Sequence, residues 1–350
     1  MLCSYMKQLT KEINMNNLKK VALTALGASL AATSANAVDV SVSGGSEIGW
    51  ATGTSNNAGS KASSFGVGTG VSFSASGELD NGWTVSTTHA TSGAWALTSS
   101  NITVDTGSMG KVRFNRVAAA SVNANDDILP TAWEEANDNA DTSIRGTRLA
   151  DGLTSGSISI ILPTFEFGGG SLDVSVDYDP AVNTAGGGNP GVTVARAVGQ
   201  GSGYAVGAKL GLGQFALYGG YAEEESTLAA SAADGQNVMV QATASFGSVS
   251  IGVGEWYANE GDGAADYSTT GMSIAFNVND DLSMSYGELE DTMEAITTTS
   301  AVATEVKSIQ VAYSMGSMAV KAKRVETDNP YNQTTNNATE HTEISVSFSF

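Results

Sequence analysis

The chain ends with Ile344-Ser345-Val346-Ser347-Phe348-Ser349-Phe350, in which apolar and hydroxyl side chains alternate up to a final aromatic residue. Because neighbouring side chains on a β-strand point to opposite faces, this period of two predicts a strand with one apolar and one polar face. A soluble β-sandwich can also end in such a strand. The stretch therefore predicts β-structure, and the class of fold has to be decided from the rest of the chain.

The same alternation recurs upstream in segments of about ten residues, which is the length of a transmembrane β-strand. In residues 172–179, for example, Leu172, Val174, Val176 and Tyr178 alternate with three aspartates and a serine. Carboxylates along one face of a strand require water, so this face is expected to line an aqueous lumen. Short turns between the segments alternate with longer polar connections. The pattern predicts an all-β transmembrane antiparallel barrel of about 16 strands, within the bacterial range.

Two further features fit a barrel. All five prolines fall in predicted loops or turns, as expected for residues that cannot donate to a sheet ladder. Aromatic residues near the predicted strand ends indicate a girdle at the membrane interfaces, with Tyr178, Phe246, Trp256, Tyr286 and Phe350 as its members. A soluble sandwich or solenoid would instead bury an apolar face against a core richer in large side chains.

Residues 16–37 have the three parts of a secretory leader. Lys19 and Lys20 supply positive charge, an apolar run follows from residue 21 to 32, and small residues precede a predicted cleavage site after Ala37. The apolar run is too short for a membrane helix, which needs about 20 residues. We therefore expect residues 1–37 to be removed and residues 38–350 to form the barrel.

Residues 1–14 precede this leader, and we expect translation to start at Met15 instead of Met1. The chain contains one cysteine, Cys3, which lies in the expected leader extension. The exported chain is then expected to fold without a disulfide, which favours a scaffold that closes on itself.

The composition limits the classes of partner. Sixteen basic and 36 acidic residues give a formal net charge of −20, and a surface this acidic excludes nucleic acid, which is bound through basic patches. The hydrophobic fraction of 41% argues against disorder, which is typical of chains with high charge and few apolar residues.

The longest predicted connection follows the strand at residues 111–116 and extends to about residue 154. A loop of this length without structure of its own is usually functional. It carries a group of carboxylates, namely Asp126, Asp127, Glu134, Glu135, Asp138 and Asp141. The preceding strand places Lys111 and Arg113 on one face. If the loop folds inward, acidic and basic groups are expected to face each other across a narrow gap and to set ion selectivity.

These pieces carry a family resemblance. The leader ending in Ala-Asn-Ala, the strand Gly110-Lys111-Val112-Arg113-Phe114-Asn115-Arg116, the loop segment Asp127-Ile128-Leu129-Pro130 and the terminal Phe350 resemble the general porins of Gram-negative outer membranes, particularly the trimeric porins of alphaproteobacteria. The resemblance covers residues 38–350, and it implies an acidic third external loop that folds into the barrel opposite arginines and lysines of the wall.

The resemblance also implies roles for single residues. Arg116 matches the family's strand arginine, and Asn115 stands where the family has Gly. Phe350 matches the terminal aromatic that the outer-membrane assembly machinery reads. Strand parity alone adds Lys209, Lys321 and Lys323 to the expected basic wall.

The expected function is passive diffusion of small hydrophilic solutes and ions through an outer-membrane channel that prefers cations, without a cofactor. The expected surroundings are a homotrimer, membrane lipid and lipopolysaccharide. The acidic loops leave open a Ca²⁺ site that no spacing assigns. Two alternatives remain: a barrel with a plugged lumen that recognises a surface partner, and a hydrolase, for which only His89 and His341 are available as a histidine base.

Overall fold

The structure is a computed structural model, and it describes residues 39–54, 61–117, 120–138, 144, 149–150, 153, 156–180, 200–226, 234–259, 266–294, 302–334 and 338–350. The expected leader with its cleavage site at Ala37 lies outside the described residues, and so does Asp141 of the acidic loop.

The described residues form strands almost throughout. The strand segments are β1 Asp39–Thr54, β2 Lys61–Glu78, β3 Thr84–Ser92, β4 Leu97–Asp105, β5 Lys111–Val117, β6 Ile158–Ile161, β7 Phe165–Phe167, β8 Gly170–Asp179, β9 Gln200–Leu212, β10 Phe215–Ser226, β11 Gly235–Phe246, β12 Val249–Asn259, β13 Asp266–Asn277, β14 Leu282–Glu294, β15 Thr304–Met315, β16 Met318–Asp328 and β17 Thr339–Ser349. Two short 3₁₀ helices, η1 Ser121–Asn125 and η2 Pro330–Asn332, complete them. No helix in the described part of the chain is long and apolar enough to span a membrane.

The sheet closes into an antiparallel barrel. Apart from the short segments β6 and β7, each strand pairs with its neighbours in sequence, and β1 pairs with both β2 and β17. The last residue completes this closure, because the Phe350 carbonyl accepts from Gly44 N at 2.7 Å and Phe350 N donates to the Gly44 carbonyl at 3.0 Å. The predicted all-β barrel is therefore confirmed.

The strand number is also confirmed. Both β6 and β7 pair with β8, so together they occupy one position in the wall and the described strands fill sixteen positions. Pro163 lies between the two segments. Pro163, which was predicted to lie in a loop or turn, is outside both segments and separates them because it has no N–H to donate to the ladder.

Alternation along the strands separates two faces. The outward face carries exposed apolar residues, with Phe65 at 81%, Val240 at 61% and Ile309 at 57% exposure. Tyr178 and Tyr204 lie toward the loop ends of this face and Phe215, Phe246 and Phe276 toward the short turns, as in an interfacial girdle. Trp256 is an exception to the predicted girdle, since it faces inward and is 1% exposed.

The inward face is only partly aqueous. A cluster of buried apolar side chains joins residues of the long connection between β5 and β6 to residues of β9–β16. From the connection come Ala120, Val122, Ala136, Ile144, Leu149, Ala150 and Leu153. The wall contributes Ala205, Ala222, Met239, Trp256, Leu289, Val306 and Val325. The core of this protein therefore lies inside the barrel, between the loop and one half of the wall.

Candidate functional site

The connection between β5 and β6, called here the inner loop (residues 118–157), begins at a buried carboxylate of the wall. Asp177 on β8 accepts hydrogen bonds from Ser121 N at 2.9 Å, from Ser121 Oγ at 2.8 Å and from Val122 N at 3.0 Å. Ser159 Oγ donates to the same carboxylate. Since Asp177 is fully buried, these donors replace the water that its charge would otherwise require.

The middle of the inner loop lies against an amide and a row of glycines. Gln241 on β11 donates through Nε2 to the Asn125 carbonyl at 2.7 Å and to the Asp126 carbonyl at 2.9 Å. Further along, Pro130 packs on Gly252, where a Cβ would lie 2.5 Å from its Cδ atom. A larger inward residue at this position would push the loop off the wall.

The tip of the inner loop is held by a second amide. Gln310 on β15 is buried, and its Oε1 atom accepts from Trp133 N at 2.9 Å and from Glu134 N at 3.1 Å. Its Nε2 atom donates to the Glu134 carbonyl at 2.6 Å. Ser285 Oγ on β14 accepts from Ala132 N at 2.8 Å. The wall thus binds backbone atoms of the inner loop at its start, in its middle and at its tip.

A buried ion pair fastens the same tip to β16. Lys323 has a fully buried side chain and pairs with Glu134 of the loop, while its Nζ lies 3.6 Å from Glu343 Oε2 on β17. The ring of Trp133 lies over Lys323 Nζ at 5.0 Å and over Lys321 Nζ at 5.4 Å. Loop and wall therefore touch at these lysines, and the predicted gap between them is absent here because the tip docks directly on β16.

Carboxylates accumulate beside this contact. Burial, together with a hydrogen bond to Glu135 and the negative charge of that residue, raises the pKa of the Asp138 carboxyl to about 6. Glu343 raises this pKa further, whereas the positive charge of Lys323 lowers it. Glu47 on β1 faces the same lumen, where it accepts a hydrogen bond from Ser345 Oγ.

A cavity of about 910 Å³ lies below the start of the inner loop. Its lining includes Arg113 of β5, Asp173 of β8, Lys209 of β9 and the exposed Asp127 of the loop. Asp173 and Lys209 are direct cross-strand partners, and Lys209 Nζ lies 5.8 Å from the centre of the Tyr218 ring. Charges of both signs line this part of the lumen, so they largely offset one another.

Asp126 also lines this cavity, although its side chain is buried. The remaining predicted residues lie apart from these two groups. Lys111 lies near a short turn, with its Nζ 3.0 Å from Asp105. Arg116 is the extra residue of a β-bulge opposite Ser100 and Asn101, and it does not line the cavity with Arg113. Arg116 was expected in the basic wall from the family resemblance, and the bulge sets it apart from Arg113. The roles of all these residues in conduction stay predictions.

Asn115, which the resemblance places where the family has Gly, lies at the base of the inner loop. Its side-chain amide donates to Ser157 Oγ at 3.0 Å and to Ser159 Oγ at 3.1 Å. Its backbone N donates to the Ser157 carbonyl at 2.9 Å. Asn115 therefore joins the two ends of the inner loop, directly beside Asp177.

Sequence reasoning missed the wall residues that bind the loop. Asp177 was expected only to line the lumen, and Gln241, Gln310 and Ser285 carried no prediction. Each lies at an inward position of its strand, which alternation predicts. Their loop partners are more than 50 residues away along the chain, and no pattern in the sequence indicates them.

The two histidines face different environments. His89 on β3 is opposite Phe73 of the outward face, and its Nδ1 atom lies 3.1 Å from Ser100 Oγ. His341 faces inward, with Nε2 3.4 Å from Glu343 Oε2. Among the described residues no group of three His, Cys, Asp or Glu side chains is arranged to hold a metal ion, and the Ca²⁺ site stays an untested prediction.

The chain is similar to known proteins both in its sequence pattern and in its fold. The family model described as Gram-negative porin matches residues 22–350. Among solved structures, the anion-selective porin from Comamonas acidovorans is 13% identical with a TM-score of 0.66, covering 89% of this chain and 100% of that one. No curated protein sequence matches the chain.

Two further solved structures share the fold. The in-vitro folded OmpT of Vibrio cholerae, in its trimer form, is 12% identical with a TM-score of 0.63, covering 90% of this chain and 100% of that one. The OmpF of Salmonella typhi in complex with daunomycin is 10% identical with a TM-score of 0.66, covering 89% of this chain and 97% of that one.

The first prediction concerns the start of the inner loop. Asp177→Ala removes the acceptor for Ser121 N and Val122 N, and each buried donor left unpaired costs about 1–3 kcal/mol. We expect a barrel that still folds but whose inner loop is cut by added protease faster than in the parent. Asp173→Ala on the same face of β8 is the matched control. Equal protection of the loop in both variants would contradict the anchoring role.

Proposed function

Because the chain belongs to the Gram-negative porin family, we propose that its outer-membrane channel passes small hydrophilic solutes by diffusion and prefers cations. The chain is a multi-pass β-barrel of the outer membrane, and the family and fold indicate a channel rather than an enzyme. The preference for cations and the range of solutes are the proposed part.

The observation that carries the proposal is the imbalance of accessible charge around the loop tip. Glu135 and Asp138 are only half-buried, and Glu343 and Glu47 face the same space. The positive charge of Lys323 is fully buried between Glu134 and Glu343. A lumen lined by carboxylates raises the local concentration of cations and lowers that of anions.

The shared fold does not supply the sign of this preference. One structural relative is described as an anion-selective porin, so selectivity has to come from the residues that line each lumen. In this chain the mixed charges of the cavity around Arg113 and Lys209 offset one another, and the loop tip supplies the excess negative charge.

The second prediction tests the sign of selectivity. Refolded residues 38–350 in a planar bilayer under a KCl gradient should give a cation-selective reversal potential. Glu135→Gln combined with Asp138→Asn should move this potential toward zero, because both carboxylates lose their charge. Glu134 is left intact since it neutralises Lys323.

The matched control for that experiment is Glu78→Gln, which removes a carboxylate from the end of β2, far from the loop. It should leave the reversal potential unchanged. An anion-selective parent would contradict the proposal, as would a double variant that behaves like the control. A barrel that inserts without conducting would favour the plugged, surface-recognition alternative.

The third prediction is a pH dependence. Since the pKa of Asp138 is raised to about 6, lowering the pH from 7 to 5 protonates this carboxyl while ordinary carboxyls with a pKa near 4 stay charged. The cation-to-anion permeability ratio should therefore fall as the pH passes through about 6. In Asp138→Asn the step should vanish, and a step that persists would assign it to another group.

The proposed assembly is a homotrimer, in keeping with the trimer form of the OmpT relative. The outward face of β2–β4 supports a contact between copies. Thr87, Thr91 and Ser100 lie next to His89 there, and among the described outward side chains of β1–β4 none is Asp, Glu, Lys or Arg. Thr87 and Thr91 donate to the Asn101 and Val71 carbonyls, and Ser100 Oγ lies 3.1 Å from His89 Nδ1. A polar group such as this imidazole is costly against lipid, whereas a second copy can offer it a polar neighbour.

The strands β3 and β4 of this face are also short. They have nine residues each, compared with 13 in β14, and a tight turn joins them after Ser92. The wall at β15 and β16 differs, because ion-paired Lys307, Arg324 and Glu326 lie above its apolar band. We assign that charged end to membrane lipid and lipopolysaccharide, and Phe350 to recognition by the assembly machinery.

The fourth prediction tests the subunit contact. Thr87→Arg places one positive charge per copy on the proposed interface, and like charges brought together there should abolish the oligomer while leaving a folded monomer. Thr270→Arg introduces the same change on the outward face of β13 and should keep the oligomer. Oligomeric state is read by cross-linking in detergent. Oligomers that survive Thr87→Arg would place the interface elsewhere.

A further inference from the structure

Two lysines of the inward wall lie beneath the tip of the inner loop. Lys321 and Lys323 occupy alternate positions of β16, and the indole ring of Trp133 spans both, with its centre 5.4 Å and 5.0 Å from the two Nζ atoms. An ammonium group at this distance from an indole is attracted by the ring, by about 0.5–2 kcal/mol.

The backbone holds this ring in place. Gln310 accepts a hydrogen bond from Trp133 N at 2.9 Å, and its amide also binds both backbone groups of Glu134. Since Glu134 pairs with Lys323, residues 133 and 134 act on the lysines together. The carboxylate neutralises one ammonium group, and the indole covers both.

The arrangement separates the charges that permeant ions meet from those that they do not. Lys323 has no exposed side-chain surface, and Lys321 is partly buried under the indole. Glu135 and Asp138, two residues and five residues beyond Trp133, remain half-buried at the loop tip. An anion in the lumen therefore finds little accessible positive charge beside a group of carboxylates.

From this geometry we propose that Trp133 determines the charge selectivity of the channel by covering Lys321 and Lys323. The inference rests on the proposed cation-preferring channel and names the residue that keeps the lysines of the wall out of the conduction path. A channel with the same carboxylates and uncovered lysines would have a smaller excess of negative charge at its constriction.

The test compares three variants at Trp133 in planar bilayers under a KCl gradient. Trp133→Ala uncovers the lysines, and we expect the cation-to-anion permeability ratio to fall at least about twofold as anions gain accessible positive charge. Trp133→Phe keeps an aromatic ring and should retain most of the parent ratio. If Trp133→Ala does not fold, Trp133→Leu, which keeps the apolar volume without the attraction of an aromatic ring, takes its place and should show an intermediate ratio.

A double variant distinguishes covering of the lysines by Trp133 from displacement of the inner loop. If Trp133 acts through the lysines, Lys321→Gln added to Trp133→Ala should restore much of the lost ratio, and its effect should be larger there than in the parent. If the loop instead leaves the wall, single-channel conductance rises and Lys321→Gln restores nothing. The second result would overturn the inference.

Failure of this inference and failure of the proposed function give different results. A parent channel that prefers anions contradicts the proposed function, yet a further shift toward anions in Trp133→Ala would still support the covering role. A parent that prefers cations, with a ratio unchanged in Trp133→Ala and a loop still protected from protease, supports the proposed function and overturns the role of Trp133.

Discussion

The ladder between β1 and β17 is the interaction on which the rest of the structure depends. Hydrocarbon offers no partner to an open sheet edge, and each unpaired backbone group there costs several kcal/mol. Pairing of Gly44 with Phe350 removes the last open positions. Once the sheet is closed, alternation assigns every wall residue to lipid or lumen, and the inner loop can only meet the inward set.

Within the lumen the loop is held less by its own structure than by the wall. Its one described 3₁₀ helix has five residues. The wall supplies Asp177, Gln241 and Gln310 as partners for the loop backbone, and glycines such as Gly252 allow close approach. Apolar side chains of both parts then exclude water between them. The loop and the half of the wall from β8 to β16 thus form one packed unit beside an open passage.

Much of the fold could be predicted from the sequence because a barrel repeats one local rule. Alternation in residues 172–179 and 344–350 identified strands and their faces without any knowledge of their neighbours.

The same rule failed wherever the backbone departs from regular pairing. A bulge at Arg116 interrupts the regular pairing of β4 with β5, and Pro163 separates β6 from β7. Trp256 was expected at the membrane interface because it is aromatic, but it faces inward and packs in the apolar cluster that the loop forms with the wall. Contacts such as Gln310 with Trp133 join residues 177 positions apart, and they depend on the path of the loop, which local patterns do not encode.

The wall side chains that position the loop bind its backbone N–H and C=O groups. Every residue except proline has both of these groups. The hydrogen bonds of Gln310 to the backbone of residues 133 and 134 do not depend on the side chains there. The same holds for the hydrogen bonds of Gln241 to the carbonyls of residues 125 and 126. Positions 135 and 138 can therefore drift in sequence during evolution while the loop keeps its course. A lineage that moved to a habitat with different nutrients could revise which ions enter the cell by a few substitutions, with the scaffold untouched.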